Sequence, residues 1–280
     1  MSKKIVITGA NGFIGSYLTE HLSKENEIYA LVHHLYKAPP QNITYRAFDM
    51  NSFGSDVIPN DTDIIIHTAY ITSDKLNSEE DINLKATQRL YEIGKRKGVK
   101  LFIFLSSFSA ATDSKSKYGI SKYNTCLALN KQNSLILEPG LVIGNGGLFL
   151  KIKDIIKQSN IIPLIANGNQ SLQYIFIDDL YKIIQKSIEN NINGNYRVAA
   201  KKTILMKDFY RYVAQKLNKK IKFIPLPYFL ADVLFSISSK LNIDIGVDKD
   251  NYLGLKQMKE KEICNTKNEF GITLMELIST

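Results

Sequence analysis

"TGANGFIG" (residues 8–15) carries three glycines, Gly9, Gly12 and Gly15, spaced G-x-x-G-x-x-G. It follows "KIVIT" (4–8), a β-branched apolar run that reads as a buried strand. It opens "FIGSYLTEHLSKE" (13–25), where Phe13, Ile14, Tyr17, Leu18 and Leu22 recur at helical spacing. Glycines between a strand and a helix allow a tight turn and close approach of backbone to a pyrophosphate. The helix N-terminus adds unpaired N–H groups and the positive end of a dipole. Glycine spacing alone is a weak signal, and its place at the first strand–helix junction is what strengthens it.

Outward from this turn the chain keeps alternating. "EIYALV" (27–32), "ITYRAFD" (43–49), "DIIIHTA" (63–69), "KLFIFLSS" (100–107) and a segment of "SLILEPGLVIG" (134–144) before Pro139 read as further strands. "INLKATQRLYEIGKRKG" (82–98) and "KYGISKYNTCLALNKQ" (117–132) read as helices between them. Continuously apolar strands alternating with helices predict an α/β fold, a Rossmann-type doubly wound parallel sheet covered on both faces. After Gly144 the rhythm breaks: a helix over 145–158, a strand running into a helix over 174–190, a short strand over 195–200, a helix over 206–220 and an extended piece over 221–227. The expected organisation is a dinucleotide-binding domain over 1–144 plus about 171–200, with a smaller, interleaved C-terminal substrate lobe over 145–170 and 201–280.

The 280 residues are 44% hydrophobic and 22% charged, an ordinary globular composition with length enough for a full core. The formal net charge of +9 favours anionic partners. Its lysines are scattered, so a solvated basic surface is expected and no nucleic-acid partner. Cys126 and Cys264 are far apart and lack metal spacing, which predicts no disulfide framework, no metal site and a reducing, cytoplasmic location. No apolar run has the roughly 18 residues of a membrane span. "PLPYFLADVLFSI" (225–237) comes nearest and reads as a helix packing an apolar face on its own domain, with peripheral membrane contact the minor alternative.

"KYGISK" (117–122) places Tyr118 and Lys122 one helical turn apart on one face. On an arbitrary helix that pair is an ordinary exposed one. Here the helix follows the fifth strand, whose end carries Ser106 and Ser107, and ligands of doubly wound sheets sit beyond the carboxyl ends of the strands.

Taken together, these segments resemble the extended short-chain dehydrogenase/reductase family of sugar-nucleotide epimerases, dehydratases and reductases, over nearly the whole chain. The resemblance implies cofactor binding at Gly9, Asn11, Gly12, Phe13, Ile14 and Gly15, and at Asp49 and Met50 of "FDM". It extends the cofactor site to Thr68 and Ala69 of "IIHTA" and to Pro139 of "EPGLVIG". Asn83 matches a mainly structural asparagine. Ser107, Tyr118 and Lys122 correspond to the catalytic set, with Ser106 and Ser109 weaker candidates for the serine. Lys122 is expected to contact the cofactor ribose and, with oxidised nicotinamide, to lower the Tyr118 pKa from about 10 by roughly 1–3 units. The second strand ends at His33 and His34 with Lys37 beyond and no carboxylate, which favours NADP(H), NAD(H) remaining open. Glu138 and Leu172 stand where family members often carry arginines, which leaves the sugar open.

The implied activity is an NAD(P)-dependent oxidoreductase working on a nucleoside-diphosphate sugar, foremost a 4-keto-sugar reductase with Tyr118 as proton donor. A 4-epimerase holding NAD is the alternative, and a non-catalytic nucleotide-binding relative the second; a homodimer is possible. A dehydratase ranks lower because "FSAATD" (108–113) offers only Asp113, in the wrong place.

Overall fold

The computed structural model describes residues 2–35, 43–72, 81–129, 133–233 and 249–277. The first half runs β1 (Lys4–Thr8), α1 (Phe13–Leu22), β2 (Glu27–Val32), β3 (Ile43–Ala47), β4 (Ile64–His67), α2 (Ile82–Arg96), β5 (Leu101–Leu105), α3 (Lys117–Ala128) and β6 (Ser134–Pro139). The second half runs β7 (Leu141–Ile143), α4 (Gly147–Gln158), β8 (Ile161–Ile165), β9 (Ser171–Leu172), β10 (Tyr174–Phe176), α5 (Ile177–Asn190), β11 (Gly194–Val198), β12 (Ile204–Leu205), α6 (Met206–Lys216), β13 (Lys222–Leu226), α7 (Lys249–Lys256) and α8 (Thr266–Phe270).

Seven strands form one parallel sheet in the order β11-β6-β5-β4-β1-β2-β3. Side chains of a strand alternate between faces, and the core divides accordingly. Ile5 and Ile7 of β1 join Leu18 and Leu22 of α1 and Leu180, Ile183 and Ile184 of α5. Val6, between them, joins Leu90 and Ile93 of α2, Cys126 of α3 and Ile65, Phe102 and Phe104 from the neighbouring strands. The sheet is thus covered on both faces, the doubly wound α/β architecture that the alternation predicts.

A separate core gathers Ile152 and Ile156 of α4, Ile162 and Leu164 of β8, Leu172, Tyr174, and Phe209 and Val213 of α6. The sequence reading has no strand over Ile161–Ile165, where β8 pairs in parallel with β13. Pro163 interrupts its β-branched run, and it is tolerated because β8 has a single ladder partner.

The segment 225–237 departs from expectation. Helix covers 228–233, and Ala231 is buried against Tyr252, but Phe229, Leu230 and Val233 are exposed, so this stretch presents apolar side chains outward. Residues 234–237 lie outside the described residues, as do Lys37 and positions 130–132 of the anticipated 117–132 helix. Among the described residues no helix is long and apolar enough to cross a membrane. Both cysteines are free thiols.

Candidate active site

The glycine turn leaves the carboxyl end of β1. Gly9 takes φ +65°, and its carbonyl accepts from Gly12 N at 2.8 Å. A Cβ on Gly15 would lie 2.1 Å from the Gly9 oxygen, and one on Gly9 would lie 2.8 Å from the Ala69 backbone. Both glycines therefore exist for close backbone approach. Gly12 is the N-cap of α1; no side chain caps the helix and no acid stands in its first turn. The first N–H groups of a helix have no partner within it, so Phe13, Ile14 and Gly15 offer theirs outward beside exposed Asn11. The Phe13 ring itself lies against Gly144, Gly146 and Gly147.

At the end of β4, Thr68 Oγ1 donates to the Thr8 carbonyl at 2.7 Å, and Ala69 N donates to Thr8 Oγ1 at 3.3 Å. These residues underpin the glycine turn from below. His67 links three elements: Nδ1 is 2.6 Å from Thr8 Oγ1 and Nε2 is 2.9 Å from Thr87 Oγ1. Thr87 donates its own hydroxyl to Asn83 O at 2.6 Å, which assigns the ring proton to Nε2. Burial, with the nearby Lys122 charge, holds this imidazole neutral, with its pKa lowered to about 3. Asn83 grips Ile71 at both backbone groups, 2.8 and 3.0 Å, the structural part expected of it.

Ser116 caps α3 by accepting from Gly119 N at 3.0 Å. A Cβ on Gly119 would meet the Ser109 carbonyl at 2.4 Å, so this glycine lets the helix start against the loop after β5. The result is a hydrogen bond between the Tyr118 phenol and Ser107. Ser107 Oγ also accepts from Ser109 N at 3.1 Å, whereas Ser106 is buried and receives the Cys126 thiol at 3.1 Å. Of the adjacent serines, Ser107 is the one that meets the tyrosine.

Lys122 is 4% exposed, and its Nζ donates to the Leu105 carbonyl at 2.7 Å. Burial brings its pKa down to about 8. Burial pushes the Tyr118 phenol up, and the Ser107 hydrogen bond only partly opposes it. The ammonium donates to Leu105 and sits 5.8 Å from the Tyr118 ring centroid.

His33 and His34 are exposed at the end of β2, their rings edge to face at 4.4 Å. Asp49 Oδ1 accepts from Asn51 N and Nδ2 at 2.9 and 2.8 Å, which holds its carboxyl below the usual range, with help from His33. The Met50 side chain is buried in the α2–α3 core. Pro139 is buried, and its carbonyl accepts from Phe108 N at 3.1 Å. Glu138, also buried, pairs with Arg197 Nε at 2.9 Å, and Leu172 is buried in the second core.

Two neighbours escaped the sequence reading. Tyr70 meets Tyr118 ring to ring, and Lys261 donates to the Phe108 and Ala110 carbonyls, bracing the Ser107 loop. Neither stands in a periodic pattern; proximity to "HTA" was the only signal for Tyr70.

A glycine turn feeding an uncapped helix N-terminus, beside a serine, tyrosine and lysine at the carboxyl edge of a doubly wound parallel sheet, defines a dinucleotide-binding fold of Rossmann type. The chain belongs to the NAD dependent epimerase/dehydratase family, whose model matches residues 5–199. It is an enzyme of that family. UDP-glucose 4-epimerase of Vibrio cholerae is 22% identical, the similarity covering 91% of this chain and 91% of that protein. Among solved structures, UDP-N-acetylglucosamine 4-epimerase from Methanobrevibacter ruminantium in complex with UDP-N-acetylmuramic acid superposes with TM-score 0.68 at 20% identity, covering 80% of this chain and 86% of that one. dTDP-4-dehydrorhamnose reductase from Bacillus anthracis in complex with NADP gives 0.65 at 22%, covering 81% and 85%.

Proposed function

We propose that this enzyme is a nicotinamide-dependent oxidoreductase acting on a nucleoside-diphosphate sugar, as a 4-keto-sugar reductase favouring NADPH, with the smaller C-terminal lobe holding the sugar nucleotide. The cradle suits a dinucleotide: Cβ atoms on Gly9 and Gly15 would collide with backbone, and the first turn of α1 is free of acids that would repel a pyrophosphate. The bound nicotinamide supplies the hydride. Gly9, Gly12 and the α1 N–H groups would hold the pyrophosphate, and Asp49 the adenine side. Lys122 would turn to the ribose. Ser107 would orient the keto oxygen, and Tyr118 would deliver its phenolic proton to that oxygen as it gains charge, a transfer worth about 10²–10⁴-fold.

The observation that carries the reading is the Tyr118–Ser107 hydrogen bond at the end of β5. The upward shift of the phenol supports a donor, since it keeps the proton on Tyr118 at neutral pH. A 4-epimerase, which must first withdraw a proton with tyrosinate, is served less well by that environment. Its support is the match to an NAD-dependent family model and to a 4-epimerase along 91% of both chains. Denaturing the purified enzyme and identifying released nucleotide separates the two. Tightly held NAD, with interconversion of sugar-nucleotide epimers and no net NADPH consumption, would establish the epimerase. Consumption of one NADPH per nucleoside-diphosphate 4-keto-sugar would establish the reductase.

A further inference from the structure

We propose that Tyr70 is a positioning residue for the Tyr118–Lys122 pair, its ring holding the Tyr118 ring edge-on and closing an aromatic cage over the Lys122 ammonium. The inference rests on the roles proposed above for Tyr118 and Lys122. The Tyr70 and Tyr118 centroids are 4.9 Å apart with ring planes at 82°, an edge-to-face pair. Lys122 Nζ lies 4.9 Å from the Tyr70 centroid and 4.6 Å from that of Phe104, within the range of cation–π attraction. With the Leu105 carbonyl at 2.7 Å, three rings and one oxygen surround the ammonium.

The Tyr70 ring is not set by a loose loop. On one side Ala69 N is tied to Thr8 Oγ1 at 3.3 Å. On the other, Asn83, itself buried in the first turn of α2, holds both Ile71 N and Ile71 O. Residues 69–71 are thus pinned to β1 and α2, and the ring between them is carried to the face of α3. An aromatic ring performs both tasks without its hydroxyl, so phenylalanine should replace it and alanine should not.

Among the described residues, the other groups facing the pair are Ser107 from the loop after β5, Cys126 from the next turns of α3, Asp81 at the α2 N-cap and His67 at the end of β4. Tyr70 acts on the titration of the pair through exclusion of water. Burial raises the Tyr118 phenol and lowers the Lys122 ammonium. Removing the ring relaxes both, the phenol downward and the ammonium upward.

The test compares Tyr70→Phe, Tyr70→Ala and Tyr70→Leu, each alone and combined with Tyr118→Phe, with thermal melts verifying folding. Tyr70→Ala should lower kcat by about 10–100-fold, the scale of a misplaced reacting group, with KM changed far less, and Tyr70→Phe should recover it to within about twofold. In the Tyr118→Phe background the same alanine should cost less than about threefold, because the effect through the phenol is gone and only the hold on Lys122 remains. Carbon-13 tyrosine NMR should show the Tyr118 titration moved to lower pH in Tyr70→Ala and unmoved in Tyr70→Phe. Should the alanine protein not fold, Tyr70→Leu serves in its place. Native turnover in the alanine protein, equal losses in both backgrounds, or an unmoved Tyr118 titration would each overturn the inference. If Tyr118→Phe itself turns over at the native rate, the proposed function fails instead, and the NMR titration alone decides whether Tyr70 shields the pair.

Discussion

Lys122 reaches the Leu105 carbonyl with its ammonium at 2.7 Å, so helix α3 is tied to the end of β5 through a buried cation. An ammonium held in a dry place costs stability. The unfolded chain keeps the Lys122 proton up to about 10.5, whereas the folded chain gives it up near 8. Between those values the unfolded state binds more protons, so this group makes stability rise as pH rises from 8 to 10.5. Lys122→Met should abolish that rise while melting no lower than the native enzyme at pH 7, the lost hydrogen bond being offset by the relieved desolvation. Denaturant titrations across the alkaline range check this, and isothermal titration with NADPH should show weakened binding by the same variant.

The glycine turn separates folding from binding. Gly15→Ala must place a methyl 2.1 Å from the Gly9 oxygen and should destabilise by about 1–3 kcal/mol, as overpacked sites do. A methyl on Gly12 meets its nearest neighbour at 3.2 Å, also the Gly9 oxygen. Gly12→Ala should therefore melt within a few degrees of native yet bind dinucleotide more weakly, because the methyl intrudes where the pyrophosphate approaches. A melt paired with a cofactor titration on each variant reads the contrast, and equal behaviour of the two would contradict it.

His67 has the opposite pH window from Lys122. It is buried neutral between Thr8 and Thr87, with a folded pKa of about 3 against 6.5 unfolded. Below pH 6.5 the unfolded chain takes up a proton that the folded chain refuses, so stability falls as pH falls, by at most about 1.4 kcal/mol per pH unit. Urea unfolding at several pH values between 5 and 7.5 should show a shallower slope for His67→Gln than for the native chain, whatever its absolute stability.

Much of the sheet could be read because its strands are uniformly apolar and the glycine turn marks where the alternation starts. Ser107, Tyr118 and Lys122 could be located from motif spacing, and their convergence follows from topology. The electrostatics could not. That Lys122 reaches the Leu105 carbonyl depends on a side-chain rotamer, which spacing does not determine. Tyr70 was hidden for a related reason: its influence comes from ring geometry across two elements, set by Asn83 and Thr8 on either side of it. In the second half, β8 was lost because Pro163 breaks the pattern that the hydrophobic face of Ile162 and Leu164 still keeps.

Cofactor choice is expected to turn on the end of β2. His33 and His34 are exposed there and carry no negative charge, so a 2′-phosphate meets no repulsion. NADPH should bind at least as tightly as NADH. His33→Asp should reverse the order, by supplying both a ribose acceptor and a repelling charge. Parallel fluorescence titrations of the two nucleotides decide it, and a clear NADH preference in the native enzyme would mean that His33 does not face the 2′ position.

Tyr118→Phe removes one oxygen and keeps the ring, so the edge-on packing against Tyr70 survives. What is lost among the described residues is the hydrogen bond to Ser107, together with the proton that the phenol carries. Melting temperature and NADPH affinity should therefore stay close to native, while turnover falls by about 10²–10⁴-fold. The pH–rate profile should sharpen the assignment. Because burial pushes the phenol above its ordinary value, a donor Tyr118 stays protonated through neutrality, and reduction should hold its rate until the alkaline limb. A base Tyr118 would instead give a rate climbing with pH through the neutral range. A flat neutral region that disappears with Tyr118→Phe supports the donor, a climbing one supports the epimerase, and near-native turnover by the phenylalanine enzyme would remove Tyr118 from the chemistry altogether.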